Sequence, residues 1–310
     1  MRRATSKAST ILRELSTEQA NPASGDLDLK SSLEIVRILN TEDAKVGSAV
    51  KRALPQIARA VDVIAGALKR GGRLIYVGTG TSGRIAALDA AEIPPTFGTD
   101  PKTVQFIIAG GLRALGKAVE ADEDSRQSGA QAIAKKKPGK NDVIVGIAAS
   151  GRTPFTIAAV EYARRHGAKT VAVTCNPDSQ LGKAAEIEIV VEVGPEAISG
   201  STRMKSGTAQ KMVLNMLSSG AMAKLGYVYG NLMINVRAKN YKLAERAATI
   251  LQRAVGIERG VAEHALKSAG QSLPVALVML KAKLGKSAAE RALESAHGNV
   301  RQAIAAARLT

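Results

Sequence analysis

Two glycine-punctuated segments carry the residue types best suited to holding an anion. Gly78-Thr79-Gly80-Thr81-Ser82-Gly83-Arg84 follows one short β-rich run, and Ala148-Ala149-Ser150-Gly151-Arg152-Thr153 follows another. Both place Ser-Gly-Arg where a strand hands over to a helix. The first turn of a helix has N–H groups without intrahelical acceptors and a partial positive charge, and hydroxyls there add donors. A phosphate monoester suits such a mouth, and Thr79, Thr81, Ser82, Gly83, Ser150, Gly151 and Thr153 are the candidates to hold it. The first segment also fits G-x-G-x-x-G. A dinucleotide site would then want a carboxylate at the end of the second strand, where Ala109-Gly110-Gly111 stands instead. No Gly-Lys-Ser/Thr follows, so a nucleotide P-loop is excluded too. A third segment, Gly194 to Lys205, is basic and rich in hydroxyls and opens a helix; it offers Ser201 and Lys205 as a further wall.

Acid–base chemistry needs two groups of different proton affinity. Glu92 is one candidate. The helix that opens near Gly83 is expected to stop near Ile93, because Pro94 and Pro95 follow. A carboxylate in a last turn faces the negative end of the helix dipole, which favours its protonated form. The second candidate lies in Glu120-Ala121-Asp122-Glu123-Asp124, expected on a helix, where the residues alone do not choose among members of the run. His166, His264 and His297 are widely spaced and Cys175 is the only cysteine, so no zinc-type spacing exists and neither a metal nor another cofactor is expected.

The elements that must position these groups are legible. Apolar β-rich runs occur at Arg73–Val77, Thr103–Ile108, Asp142–Ile147, Thr170–Thr174 and Ile187–Val191, and the first four are separated by room for crossover helices. This predicts an α/β fold, a five-stranded parallel sheet sandwiched by helices. Helical periodicity runs from Leu33 to Leu68 with breaks at Asn40-Thr41 and near Pro55, and a long helix covers about Met204 to Lys224. From Tyr241 short helical patterns repeat, punctuated by Gly256, Gly270, Gly285 and Gly298. They predict a small helical domain at 241–310, which resembles a ubiquitin-associated-like fold, behind the α/β domain with its N-terminal helices at 1–240.

The net charge is +17, with eleven Lys/Arg against five Asp/Glu from Tyr241 onward, so the excess is spread along the chain. Such a surface attracts anions. Aromatics make up only 3% and tryptophan is absent, which supplies a base-stacking surface poorly, so nucleic acid is not an expected partner. No apolar run reaches membrane-spanning length, and Met1 to Leu15 lacks the apolar core of a secretory signal. One cysteine permits no intrachain disulfide and fits a reducing, cytoplasmic setting.

Four stretches together resemble the N-acetylmuramic acid 6-phosphate etherase branch of the sugar isomerase domain superfamily. The first is the Gly78–Arg84 loop with Leu88-Asp89-Ala90-Ala91-Glu92-Ile93-Pro94-Pro95-Thr96-Phe97-Gly98. Next is Ile108-Ala109-Gly110-Gly111 with Ala118-Val119-Glu120 and Glu123-Asp124-Ser125. The others are Gly146-Ile147-Ala148-Ala149-Ser150-Gly151-Arg152-Thr153-Pro154 and Gly200-Ser201-Thr202-Arg203-Met204-Lys205-Ser206-Gly207-Thr208-Ala209-Gln210-Lys211. The resemblance spans nearly the whole chain and departs at Ala91-Glu92-Ile93, where the family pattern has Ser-Glu-Cys. It implies a phosphosugar substrate, cleavage of a lactyl ether by elimination then hydration, and a homodimer. It also implies Glu92 as proton donor and selects Glu123 as base. An aldose–ketose isomerase or a non-catalytic sugar-phosphate sensor on the same fold are the alternatives.

Overall fold

Five runs of Val, Ile and Ala form the strands, as branched side chains on a sheet covered on both faces should. The structure, a computed structural model, describes residues 15–119, 122–235 and 241–309. Most of the basic Met1–Leu15 segment, and Glu120 and Ala121 of the acidic run, lie outside the described residues. By contact density the chain divides into two units. Met1–Ala90 with Lys102–Ser218 forms the first, and Ala91–Pro101 with Ser219–Thr310 forms the second. The division falls inside two helices, at Ala90/Ala91 and Ser218/Ser219, and not at the 240/241 boundary the glycine punctuation suggests.

In chain order the elements are α1 (Ser32–Asp43), α2 (Lys45–Arg52), α3 (Leu54–Lys69), β1 (Leu74–Gly78), α4 (Gly80–Phe97), β2 (Val104–Ile108), α5 (Arg126–Ala134), β3 (Val143–Ile147), α6 (Pro154–Arg165), β4 (Lys169–Thr174), α7 (Gln180–Ala184), β5 (Ile187–Val190) and α8 (Lys205–Lys224). They continue with β6 (Val228–Tyr229), β7 (Leu232–Met233), α9 (Tyr241–Val255), α10 (Arg259–Ser268), α11 (Leu273–Ala282), α12 (Lys286–Ser295) and α13 (Val300–Ala307). The predicted break at Asn40-Thr41 is absent: α1 opens on a Ser31/Glu34 capping box and runs through both residues to Asp43.

In the first unit the strands order as β2-β1-β3-β4-β5, every pair parallel. Alternation along β1 sends its side chains to opposite faces. Ile75 and Val77 join Ile107, Ile144, Ile133 of α5 and Phe155 and Ala159 of α6 in one buried cluster. Tyr76, between them, is fully buried on the other face, where its hydroxyl donates to Asp89 Oδ2 of α4 at 2.8 Å. Asp89 Oδ1 accepts from Asn215 Nδ2 and Ser218 Oγ of α8, at 2.7 and 3.1 Å. A buried carboxylate thus has both oxygens satisfied and ties β1, α4 and α8 together.

The second unit has a two-stranded antiparallel hairpin, β6–β7, and the five helices α9–α13 among its described residues. Their core is small-residue and aliphatic: Ala247, Leu251, Ala262, Leu266, Leu277, Ala289, Leu293, Ala303 and Ile304 are all buried in one cluster. The end of α4 also belongs here and differs from expectation. Pro94 and Pro95 lie inside the helix, which continues to Phe97. Each proline removes a donor to the carbonyl four residues back, but proline's fixed φ remains helical. Burial of Ile93 and Phe97, the edge-on contact of Phe97 with Tyr227 (6.4 Å, 82°), and Gly98 N–H donating to Pro94 O hold the last turn.

Candidate active site

In an open parallel sheet, ligands bind outside the carboxyl ends of the strands where the order reverses. Here β1 is followed in sequence by β2 on one side, while β3 pairs with its other side, so the reversal lies between β1 and β3. The loops leaving these two strands are the two Ser-Gly-Arg segments. Gly78 of β1 is in register with Ile147 of β3, so the loops start side by side.

The first loop is built by close approach. A Cβ on Gly78 would lie 2.9 Å from Gly83 N, and one on Gly83 would lie 2.5 Å from Ile108 Cγ1. Glycine at both places lets α4 start against the ends of β1 and β2. Thr79 O accepts from Gly83 N at 3.0 Å, so Thr79 caps the helix and the N–H groups of its first turn point out of the mouth. Thr79 and Ser82 are buried and Thr81 is half-buried. Ser82 Oγ lies 2.9 Å from Gln210 Oε1 of α8. Thr81 Cγ2 lies 3.5 Å from where a Cβ on Gly207 would stand, which sets the first turns of α4 and α8 against each other.

Gly80 has φ +47°, and a Cβ there would stand 3.3 Å from Glu123 Oε1. The Glu123 carboxylate therefore rests on the first loop. Its main-chain carbonyl accepts from Phe155 N at 3.1 Å, in the first turn of α6 that the second loop opens. One residue thus spans both loops of the sheet reversal. The expected helix for this acidic run is corrected: Asp122–Asp124 form a turn, and α5 begins at Arg126 behind a Ser125 N-cap.

In the second loop Gly151 has φ +66° and would collide with Ser179 if it carried a Cβ. Ser150 is half-buried, and its Oγ accepts from Arg152 N at 3.3 Å. Thr153 is the N-cap of α6 without a side-chain capping bond. The Arg84 guanidinium donates to the carbonyls of Leu115 and Lys117 and fastens the segment after β2.

The third segment has a different job from the one expected. The fully buried Glu196 accepts from Lys205 N and Ser206 N, both at 2.9 Å, and so occupies the mouth of α8 with the chain's own carboxylate. Lys205 is 2% exposed and gives its Nζ to Glu42 Oε2 at 2.5 Å. Burial and pairing with Glu42 take it out of reach as a phosphate contact. Burial alone would raise the Glu42 carboxyl, but the hydrogen bonds from Lys205 and Lys45 outweigh it and lower it to about 2. Ser201 is half-buried, with its N–H on Ile198 O. Glu92 is exposed on α4, more than a turn before the helix ends at Phe97, so the last-turn dipole argument does not apply to it.

The residue pattern did not reveal Gln210, Glu196, Glu42 or Asn176. Asn176 Nδ2 donates to Ala149 O and Thr17 Oγ1, both at 3.1 Å, pinning the second loop to the N-terminal segment. Gln210 lies inside a stretch that the resemblance marks, which is the one available signal; Glu42 has none. Burial pushes the Cys175 thiol up to about 12, so it stays protonated. Among the described residues no three His, Cys, Asp or Glu side chains are grouped to hold a metal, and no helix is long and apolar enough to cross a membrane. An open cavity of about 730 Å³ lies beside Asp122, Phe106 and Phe155, lined also by Lys135 and Lys136 of the segment after α5; neither loop serine lines it.

Residues 56–164 match the family of the glucokinase regulatory protein N-terminal SIS domain, and residues 133–219 match the SIS domain family. An N-acetylmuramic acid 6-phosphate etherase from Symbiobacterium thermophilum is 56% identical over 87% of this chain and 90% of its own length. One from Clostridium beijerinckii is 49% identical over 94% of this chain and 96% of its own. Among solved structures, a phosphoheptose isomerase from Neisseria gonorrhoeae is 16% identical with a TM-score of 0.50, covering 62% of this chain and all of its own, a likeness of fold. Identity at this level over nearly the full length of both chains shows that the chain belongs to the N-acetylmuramic acid 6-phosphate etherase family.

Proposed function

We infer that this enzyme cleaves the D-lactyl ether of N-acetylmuramic acid 6-phosphate, consuming one water and giving N-acetylglucosamine 6-phosphate and D-lactate. The observation that carries the reading is the placement of Glu123, with its carboxylate on the first anion-binding loop and its backbone on the second. A sugar phosphate held at Thr79, Thr81, Ser82, Gly83, Ser150, Gly151 and Thr153 would present its carbons to that carboxylate. The ring opens to the aldehyde, which acidifies C2. Glu123 takes the C2 proton, the C3–O bond breaks, and Glu92 protonates the departing lactate oxygen. Water then adds across the double bond, its hydroxyl at C3 and a proton at C2. The role of Glu92 rests on the family resemblance. Acid and base suffice for these steps, so activity is expected without added metal. The substrate is a wall sugar, which places the chain in the re-use of peptidoglycan amino sugars. The lone, buried Cys175 supports a cytoplasmic setting, and the family resemblance supports a homodimer. The relatives' names favour neither an isomerase nor a sensor.

Released D-lactate is the deciding assay, and its absence with authentic substrate would overturn the reading. The two carboxylates then separate by isotope exchange. Glu92→Gln should stop lactate release and still exchange the C2 proton with deuterated water. Glu123→Gln should lose both, each by at least about 10²-fold. The opposite pattern would reverse the roles.

A further inference from the structure

The Ser82–Gln210 contact contains a contradiction that identifies a further working residue. With Gln210 Oε1 facing Ser82 Oγ at 2.9 Å, the one hydroxyl proton of Ser82 is spent inward. Ser82 would then offer only lone pairs to the mouth of α4, where a phosphate dianion needs donors. At the same time Gln210 is 1% exposed, and its Nε2 is buried with no partner among the described residues. A buried amide with two unused donors is costly. A side-chain amide presents O and NH2 in nearly the same shape, so the hydrogen-bond balance decides which end faces the serine. Turning the amide over removes the first difficulty and puts one of the two idle donors to use. Nε2 then donates to Ser82 Oγ, and the serine proton is released toward the mouth.

We propose that Gln210 is a positioning residue that donates from its amide to Ser82 Oγ and so makes Ser82 an O–H donor to the substrate phosphate. The proposal rests on the reading that the mouth of α4 holds the phosphate. It makes the first loop selective for a group that accepts, a phosphate over an amine or a hydroxyl donor.

The test is a double-mutant cycle on KM and kcat, with binding of glucosamine 6-phosphate measured by calorimetry as a readout free of turnover. Gln210→Met keeps the length and removes the amide. It should raise KM and weaken binding roughly ten-fold, the worth of one hydrogen bond to a charged group, with kcat within about two-fold. In a Ser82→Ala background the same change should add nothing, because Gln210 acts through that hydroxyl. Gln210→Glu gives a second pair of measurements if the methionine variant does not fold. A carboxylate can only accept from Ser82, so the penalty should exceed that of methionine, and the excess should shrink in Ser82→Ala to charge repulsion alone. Losses that multiply across the Ser82→Ala background, or a Gln210→Met KM within two-fold of wild type, would overturn the proposal. Ser82→Ala with an unchanged KM would instead remove the phosphate reading on which it rests.

Discussion

At the scale of single residues the chemistry depends on what glycine permits. Gly80 is at φ +47°, and the place of its missing Cβ is 3.3 Å from Glu123 Oε1. Gly80→Ala therefore strains the backbone and pushes on the carboxylate proposed to remove the C2 proton. Strain of this kind costs on the order of 1 kcal/mol. The displacement should cost activity as well, about ten-fold or more in kcat/KM, because proton transfer falls steeply with misplacement. Gly71→Ala is the matched control, since Gly71 is also at positive φ, +76°, with nothing within 4 Å of its Cβ position. It should show the stability loss and keep the activity. Equal C2 exchange rates in the two variants would detach Glu123 from Gly80. The two loops were legible beforehand as strand-to-helix turns, because Gly, Ser and Thr after an apolar run favour a turn and a helix start. Lys205 was misread because a basic residue at a helix start looks the same whether its partner is a ligand or a distant Glu42.

Secondary elements were legible to within about a residue where a branched, apolar run gave way to small residues, as at β1 and β3. They were less so where tertiary contacts overrode local signals. Pro94 and Pro95 read as a stop, yet α4 continues because Ile93 and Phe97 are buried. In α1 the pattern Leu33, Ile35, Val36, Ile38, Leu39 reads as a core-facing stripe, yet the one buried residue of the helix is Glu42. Glu42 holds α1 to the start of α8 through Lys205. Glu42→Gln leaves the lysine buried and uncompensated, which should cost about 3–5 kcal/mol in denaturant unfolding. Glu42→Met with Lys205→Met should recover most of it, and a single variant as stable as wild type would show the pair to be idle. The pH dependence follows from the lowered carboxyl. A depressed folded-state pKa contributes stability above the unfolded value for glutamate, near 4.3. That contribution is lost as the pH falls from there through about 2. Wild type should lose this share of stability over that window, and Glu42→Met/Lys205→Met should not.

For the whole molecule, charge and apolar surface act in opposite directions on self-association. A net charge of +17 makes two copies repel. Yet Leu33 and Val36, 56% and 55% exposed, lie on neighbouring turns of α1 with Leu29, 81% exposed, just before them. A helix with an apolar stripe gains by covering it, and exposed apolar patches on a soluble chain mark interaction surfaces. A second copy is the occupant that fits the homodimer implied by the family resemblance, because a two-fold interface presents the same stripe from both sides. Two outcomes then follow in sedimentation at assay concentrations. Wild type should run as a dimer that tightens as salt is raised, since salt screens the mutual repulsion and leaves apolar contact in place. Leu33→Asp with Val36→Asp should shift it to monomer with its helical circular dichroism unchanged, because both side chains face solvent in the single chain. A fully active wild-type monomer would defeat the homodimer, and a double variant that stays dimeric would move the interface away from α1.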